Sequence, residues 1–191
     1  MILRMKLISN NYINRCGNQV ISFDEGVNIL VGPNGSGKSS ALEAMMRVVN
    51  DADKVPVAQL IRDMNMPVMY HASGTITSRP NVEGEAVHGI TEKAASHGES
   101  LMRYMRSLEH ITDPTVIVMD EPEIGLDFGA IAELARIIES KPTLQFIIAT
   151  HSPLLQTIDE ANIITFGDDE NYLRKGLRLC ARRLDKVLNK S

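Results

Sequence analysis

Cysteine is scarce in this 191-residue chain: Cys16 and Cys180 lie far apart and without metal-ligand spacing, which argues against a zinc site and against a disulfide framework. Free thiols in a reducing compartment are the expectation. Long apolar runs are missing too. No stretch approaches bilayer length, and the opening MILRMKLISNN is interrupted by Arg4 and Lys6, so it has no continuous apolar segment of the secretory kind. A soluble, cytoplasmic protein with no membrane insertion is expected. Internal repeats, low-complexity segments and sustained heptads are absent, which excludes a solenoid or an extended coiled coil. Excess positive charge is also lacking. With 23% charged residues and a net charge of −4, the whole chain does not have the balance of a nucleic-acid binder. Only the tail departs from this: residues 170–191 carry seven Lys/Arg against Glu170 and Asp185, a local +5 that leaves −9 for the remainder.

What is present centres on residues 27–45, VNILVGPNGSGKSSALEAM. A short apolar run ends in Gly32, Pro33, Asn34, Gly35, Ser36, Gly37, Lys38 and Ser39, then Ser40 leads into an Ala/Leu/Met-rich segment. A buried strand therefore feeds a phosphate loop that opens a helix, matching GxxxxGK[ST]. The glycines let successive N–H groups curl toward phosphate oxygens, and the helix dipole adds attraction. Lys38 would reach the terminal phosphates and the Ser39 hydroxyl would ligate Mg²⁺. A plain glycine-rich turn is the competing reading; eight residues in the right order between strand and helix disfavour it.

Alternating strand and helix patterns predict an α/β domain with a mostly parallel sheet flanked by helices. Residues 2–8 and 18–23 read as strands of an antiparallel N-terminal edge, with an Asn-rich connection between them. In that connection Tyr12 could stack on an adenine and Arg15 could reach a phosphate; a surface pair without a ligand is the equal alternative. A helix is predicted from Lys38 to about Asn50. Val55–Met64 reads as helical, Pro67–His71 as a strand and 73–89 as irregular. His71, His88 and His97 form no metal pattern and read as solvent or capping histidines. Helical spacing resumes after Ser96. Thr115–Met119 is a buried strand, Asp127 an N-cap for a helix to about Ser140, and 144–149 and 162–166 are further strands. A basic closing helix over 168–191 places Leu173, Leu177, Cys180, Leu184 and Leu188 on one face, and is expected to dock that face on the domain.

VIVMDEPE, residues 116–123, sets carboxylates at the C-terminal end of a buried strand, the ligand edge of an open α/β sheet. Asp120 can bind Mg²⁺ beside Ser39, and Glu121 can polarise the water that attacks a γ-phosphate. A solvated acidic turn is the alternative, and the phosphate loop makes it the lesser one.

Taken together, GPNGSGKSS, DEPEIGLD and THS resemble the ATP-binding-cassette (ABC) class of P-loop ATPases, in which DEPxxxLD runs position by position over Asp120–Asp127. The resemblance implies ATP and Mg²⁺ as cofactors and makes His151 the counterpart of the switch histidine at the γ-phosphate. It also implies a signature motif about twenty residues before Asp120, where Ser96 and Gly98 of ASHGES keep the hydroxyl and the close-approach glycine. A second copy would then cover the ATP with Ser96, Gly98 and Asp127, giving a homodimer with ATP at its interface. The opening of the chain is more similar to the SMC/RecF-type soluble ATPases than to transporter subunits. Fewer than sixty residues separate Ser39 from Ser96, so the helical subregion, 51–95, is reduced, and Gln59 is the one glutamine there for a Gln loop.

One ATPase domain spanning 1–191 is the domain expectation. Three functional readings stay open: a compact soluble ATPase whose ATP-sandwiched dimer drives a protein partner, in DNA metabolism or defence; an ATP-binding subunit of an ABC transporter; and a nucleotide-gated binding module with little hydrolysis. A nucleic-acid role for the basic tail is the weaker reading of that helix.

Overall fold

The structure is a computed structural model and describes residues 1–17, 20–50, 57–63, 66–72, 75–78 and 97–189. In chain order its elements are β1 (Ile2–Leu7), α1 (Asn10–Cys16), β2 (Val20–Ser22), β3 (Val27–Val31), α2 (Lys38–Val49), β4 (Ala58–Arg62), β5 (Val68–Ala72), β6 (Thr75–Ser78), α3 (His97–Ser107), β7 (Val116–Asp120), α4 (Phe128–Glu139), β8 (Gln145–Ala149), β9 (Asn162–Thr165) and α5 (Tyr172–Leu188).

The strands form two sheets. The larger has the order β6-β5-β7-β8-β3-β9, parallel except for the β5–β6 pair, and the smaller is antiparallel with the order β2-β1-β4. The central strands are mostly apolar because both of their faces are covered. Leu30, Val116, Val118, Ile147 and Ala149 share one core with α1, α2 and the small sheet. Ile29, Val31, Ile117, Met119, Phe146 and Ile148 share the other with α3 and α4. Helix α2 is thus packed between the two sheets, and the loop preceding it sits at the C-terminal edge of the larger one.

Two buried polar side chains fasten this arrangement. Gln145, at the start of β8, accepts from Ile2 N at 2.7 Å and donates to Ile2 O at 2.7 Å and Asp24 O at 2.9 Å, tying the small sheet to the large one. Asn28 of β3 donates to Asp24 O and Phe146 O and accepts from Asn162 Nδ2, which fixes β3 between its neighbours at the opposite end from the loop. Buried backbone groups need such partners, since an orphan costs about as much as a lost hydrogen bond.

Several expectations change. The Asn-rich connection after β1 is a helix, α1, closed by Gly17 in the left-handed region, with Tyr12 and Cys16 buried on its inner side. Ala58–Arg62, expected as part of a helix, is strand β4: its burial alternates and it pairs with β1, so a period of two wins over local helical preference. The remaining ends of that expected helix, 55–56 and 64, lie outside the described residues. Thr75–Ser78, expected to be irregular, pairs with β5 as β6. His71, expected in solvent or at a cap, is 1% exposed within β5. Helix α5 forms where expected, but its leucine face does not dock along its length. None of its residues is buried; Tyr172 and Leu173 pack on the second core, while Leu184 is 59% and Leu188 78% exposed.

Replacing Gln145 by Leu takes the side-chain partners from the Ile2 N–H and C=O and leaves Asp24 O with Asn28 alone. The expected cost is about 3 kcal/mol, read as a lower denaturant midpoint with an unchanged slope. A midpoint equal to wild type would show that this side chain does not join the sheets.

Candidate functional site

The phosphate loop owes its shape to two close approaches. Gly32 has φ 152° and Gly37 φ 98°. A Cβ on Gly32 would overlap the carbonyl oxygen of Phe166 beyond β9, and one on Gly37 would overlap the Arg15 carbonyl oxygen and the Cys16 Cα. Helix α1 therefore buttresses the loop from behind, and only glycine lets it come so near. Cys16 Sγ also donates to Gly37 O at 3.3 Å. Burial pushes the Cys16 thiol up to about 11, so it stays neutral and acts as part of the packing.

Around the loop lies a cavity of about 440 Å³ lined by Arg15, Asn34, Gly35, Gly37, Lys38, Ser39, Ser40, Glu121 and His151. Residues distant in sequence converge because β8 lies between β3 and β7. Leu30 pairs with Ala149, and Ala149 with Asp120, so the chain leaves three neighbouring strands at one level as the loop, the Thr150–His151 turn and the Asp120–Glu121 turn. Lys38 is 5% exposed and its Nζ donates to Gly32 O at 3.0 Å and Pro33 O at 3.1 Å. Burial lowers its pKa, while Glu121, Asp120 and Glu123 work against that shift.

Ser39 Oγ donates to Asp120 Oδ1 at 3.0 Å. Adjacent oxygens of an octahedral Mg²⁺ with bonds of 2.0–2.1 Å are about 2.9 Å apart. The pair therefore already has the spacing of two neighbouring Mg²⁺ ligands. Burial raises the Asp120 pKa, the Ser39 hydrogen bond lowers it, and the Glu121 charge raises it again. A divalent cation would relieve both the burial cost and the crowding of carboxylates. These features fit a Mg²⁺–nucleotide phosphate group. Ser36 Oγ is buried with no hydrogen-bond partner among the described residues, and Ser36 does not line the cavity.

Glu121 stands at φ 51°, in the left-handed region that non-glycine residues seldom adopt, and its N–H donates to Ala149 O at 2.8 Å. Its Oε1 lies 3.8 Å from His151 Nε2. Asp127 caps α4, its Oδ1 accepting from Ala130 N at 2.8 Å, as expected. Tyr12, read equally as an adenine contact or a surface residue, is instead 6% exposed in the core, and its hydroxyl donates to Glu43 at 2.9 Å. Arg15 does line the cavity, whereas Gln59 is exposed on β4 and does not. Ser96 lies outside the described residues, and Gly98 falls in the first turn of α3 as described.

Two contributors to the site carry little signal in the sequence, α1 and Glu123. Glu123 Oε1 accepts from His151 N at 2.6 Å and from Ser152 N at 3.1 Å. Its only advance signal was a third carboxylate two residues beyond Glu121.

Comparisons with known proteins agree with this fold. A family described as "AAA domain, putative AbiEii toxin, Type IV TA system" matches residues 106–157, and a family described as "AAA domain" matches residues 8–50. A "Putative ABC transporter ATP-binding protein" of Pyrococcus furiosus is 24% identical over 80% of this chain and 74% of its own length. The ADP conformation of an ATP-binding cassette of an ABC transporter superposes with a TM-score of 0.58 at 16% identity, over 100% of both chains. A dimeric post-hydrolysis state of an ATP-binding cassette bound to ADP and Pi superposes with a TM-score of 0.52 at 15% identity, over 91% of this chain and 99% of that one. At such identities the two structural likenesses establish the fold. No helix among the described residues is long and apolar enough to cross a membrane.

In the native protein at pH 8, iodoacetamide is expected to alkylate the half-buried Cys180 and spare Cys16, with both sites labelled after unfolding. Equal labelling of the two in the native state, read by peptide mass spectrometry, would contradict the packing of α1 behind the loop.

Proposed function

We propose that this chain, a P-loop domain of the ABC-ATPase-like fold, binds Mg²⁺–ATP and hydrolyses it at a site completed by a second copy of itself. The observation that carries the reading is the meeting of Lys38, Ser39–Asp120, Glu121 and His151 at the loop, which joins phosphate-binding, metal-binding and water-activating groups in one place.

In this reading N–H groups of Asn34–Ser40 cradle the phosphates and Lys38 exchanges its two carbonyl partners for phosphate oxygens. Ser39 and Asp120 hold Mg²⁺, which neutralises charge on the terminal phosphates. Glu121 orients and polarises the attacking water, and its strained backbone holds the carboxylate at the cavity. His151 faces the γ-phosphate from the neighbouring turn. Arg15 adds a cation at the mouth.

Assembly is supported by the turn that runs into α4. There Ile124 is 46% and Phe128 75% exposed on either side of the exposed Asp127, which gives a second copy apolar surface to cover beside the phosphate edge. Ser96 and Gly98 would be the second copy's contribution to the same phosphate. ATP then binds two surfaces at once and shifts the equilibrium toward the dimer, and loss of the γ-phosphate releases it. The work done by that cycle is on a protein partner in a soluble setting.

Glu121→Gln should abolish phosphate release, about a thousandfold or more given the scale of general base catalysis, while leaving ATP binding intact. It should also accumulate an ATP-bound dimer, seen by light scattering, that disperses when EDTA removes Mg²⁺. Unchanged turnover would remove Glu121 from this role, and binding without turnover in wild type would favour a nucleotide-gated module.

A further inference from the structure

The motif that supplies Asp120 and Glu121 holds a third carboxylate with no part in the chemistry described above. Glu123 reaches back across the sheet edge, and one of its oxygens accepts two consecutive amides, His151 N at 2.6 Å and Ser152 N at 3.1 Å. Consecutive N–H groups converging on one anion form a concave site of the kind that commonly holds phosphate; here it is filled by the protein's own side chain. The other oxygen, Oε2, is buried and has no hydrogen-bond partner among the described residues. A buried carboxylate oxygen left in that state costs stability and invites an explanation beyond simple loop packing.

The turn it grips is otherwise held by one backbone bond to β3, Thr150 N to Leu30 O at 3.4 Å, and by contacts within its own segment. Ser152 N also donates to Thr150 Oγ1 at 3.0 Å, and Gln156 Nε2 donates to Thr150 O at 3.1 Å, both within the same segment. Glu123 is the side chain among these contacts that ties His151 to a different strand end. Its own backbone belongs to the turn leading to the Asp127 cap, through Ile124 N to Glu121 O at 3.2 Å and Leu126 N to Glu123 O at 3.1 Å. One short, charge-assisted link therefore connects Glu121, the turn carrying Ile124 and Asp127, and the peptide of His151.

We propose that Glu123 is a positioning residue: its carboxylate fixes the His151 peptide so that the imidazole faces Glu121 at the phosphate cavity. Pressure on the Ile124–Asp127 turn by a second copy reaches His151 through the same carboxylate. The inference rests on the reading of the site as an ATPase. Glu123 touches no phosphate in it and acts through His151.

The test compares Glu123→Ala, Glu123→Gln, His151→Ala and the Glu123→Ala/His151→Ala double variant, with turnover, affinity for a fluorescent ATP analogue in Mg²⁺, and thermal midpoint measured for each. Displacing a catalytic group by about 1 Å costs roughly a hundredfold in rate. Glu123→Ala should lower kcat by about that factor with nucleotide affinity unchanged, while Glu123→Gln, which keeps an acceptor oxygen, should restore most of the rate. The double variant should be no slower than His151→Ala alone, because the two act as one unit. Where the alanine form does not fold, Glu123→Gln carries the test through the amide proton resonances of His151 and Ser152. Both should move upfield when a carboxylate acceptor becomes a neutral one.

Wild-type kcat in Glu123→Ala, multiplicative losses in the double variant, or unmoved amide resonances in Glu123→Gln would each overturn the proposal. If wild type binds ATP without turning it over, the ATPase reading itself fails. If Glu121→Gln is dead while Glu123→Ala is normal, only the positioning role fails.

Discussion

The site depends on one constraint, the parallel register of β8 between β3 and β7. Leu30, Ala149 and Asp120 stand level across three strands, so Gly32, His151 and Glu121 emerge within reach of one another. Side chains alternate along a strand, and a slip of one residue in β8 would send Ile148 and Phe146 to the wrong core and carry His151 away from Glu121. Register is secured where the cost of error is largest. Both faces of β8 are buried, and Gln145 at its first position has its three hydrogen bonds only in this alignment.

Electrostatics then follow from burial. Lys38 and the carboxylates Asp120, Glu121 and Glu123 share a partly dehydrated edge, where burial disfavours charge on Lys38 and on Asp120 alike; the three carboxylates oppose this at Lys38, whereas at Asp120 Ser39 and Lys38 oppose it and Glu121 and Glu123 add to it. A triphosphate with Mg²⁺ adds negative charge near Lys38 and positive charge near Asp120. The same ligand would therefore relieve both penalties, and would couple the binding of metal and phosphate through a pair of residues far apart in sequence.

Much of this was legible in the sequence because it is carried by dense local patterns. The run from Gly32 to Ser39 specifies a loop by residue type and order, the Val116–Asp120 strand is wholly apolar until its acid, and Asp127 precedes a helix it in fact caps. What was missed is non-local. Asn10–Cys16 reads as polar connection, and becomes a helix because Tyr12 and Cys16 find a pocket against α2 and the loop. Ala58–Arg62 is a strand only because β1 offers it an edge. Glu123 looks like one more acid in an acidic turn until the amides of residues 151 and 152 arrive opposite it. The amphipathic pattern of α5 was read correctly as a helix, yet periodicity reports that a face is apolar and not what lies against it.

The central claim is that Ser39 and Asp120 hold a metal ion beside phosphates bound by the loop, and the most direct measurement is calorimetric titration of ATP into wild type and Asp120→Asn, with Mg²⁺ and with EDTA. The account predicts that Mg²⁺ strengthens ATP binding to wild type and that Asp120→Asn loses this gain while keeping the weaker, metal-free binding. ATP affinity indifferent to Mg²⁺ in wild type, or a Mg²⁺ gain preserved in Asp120→Asn, would contradict it.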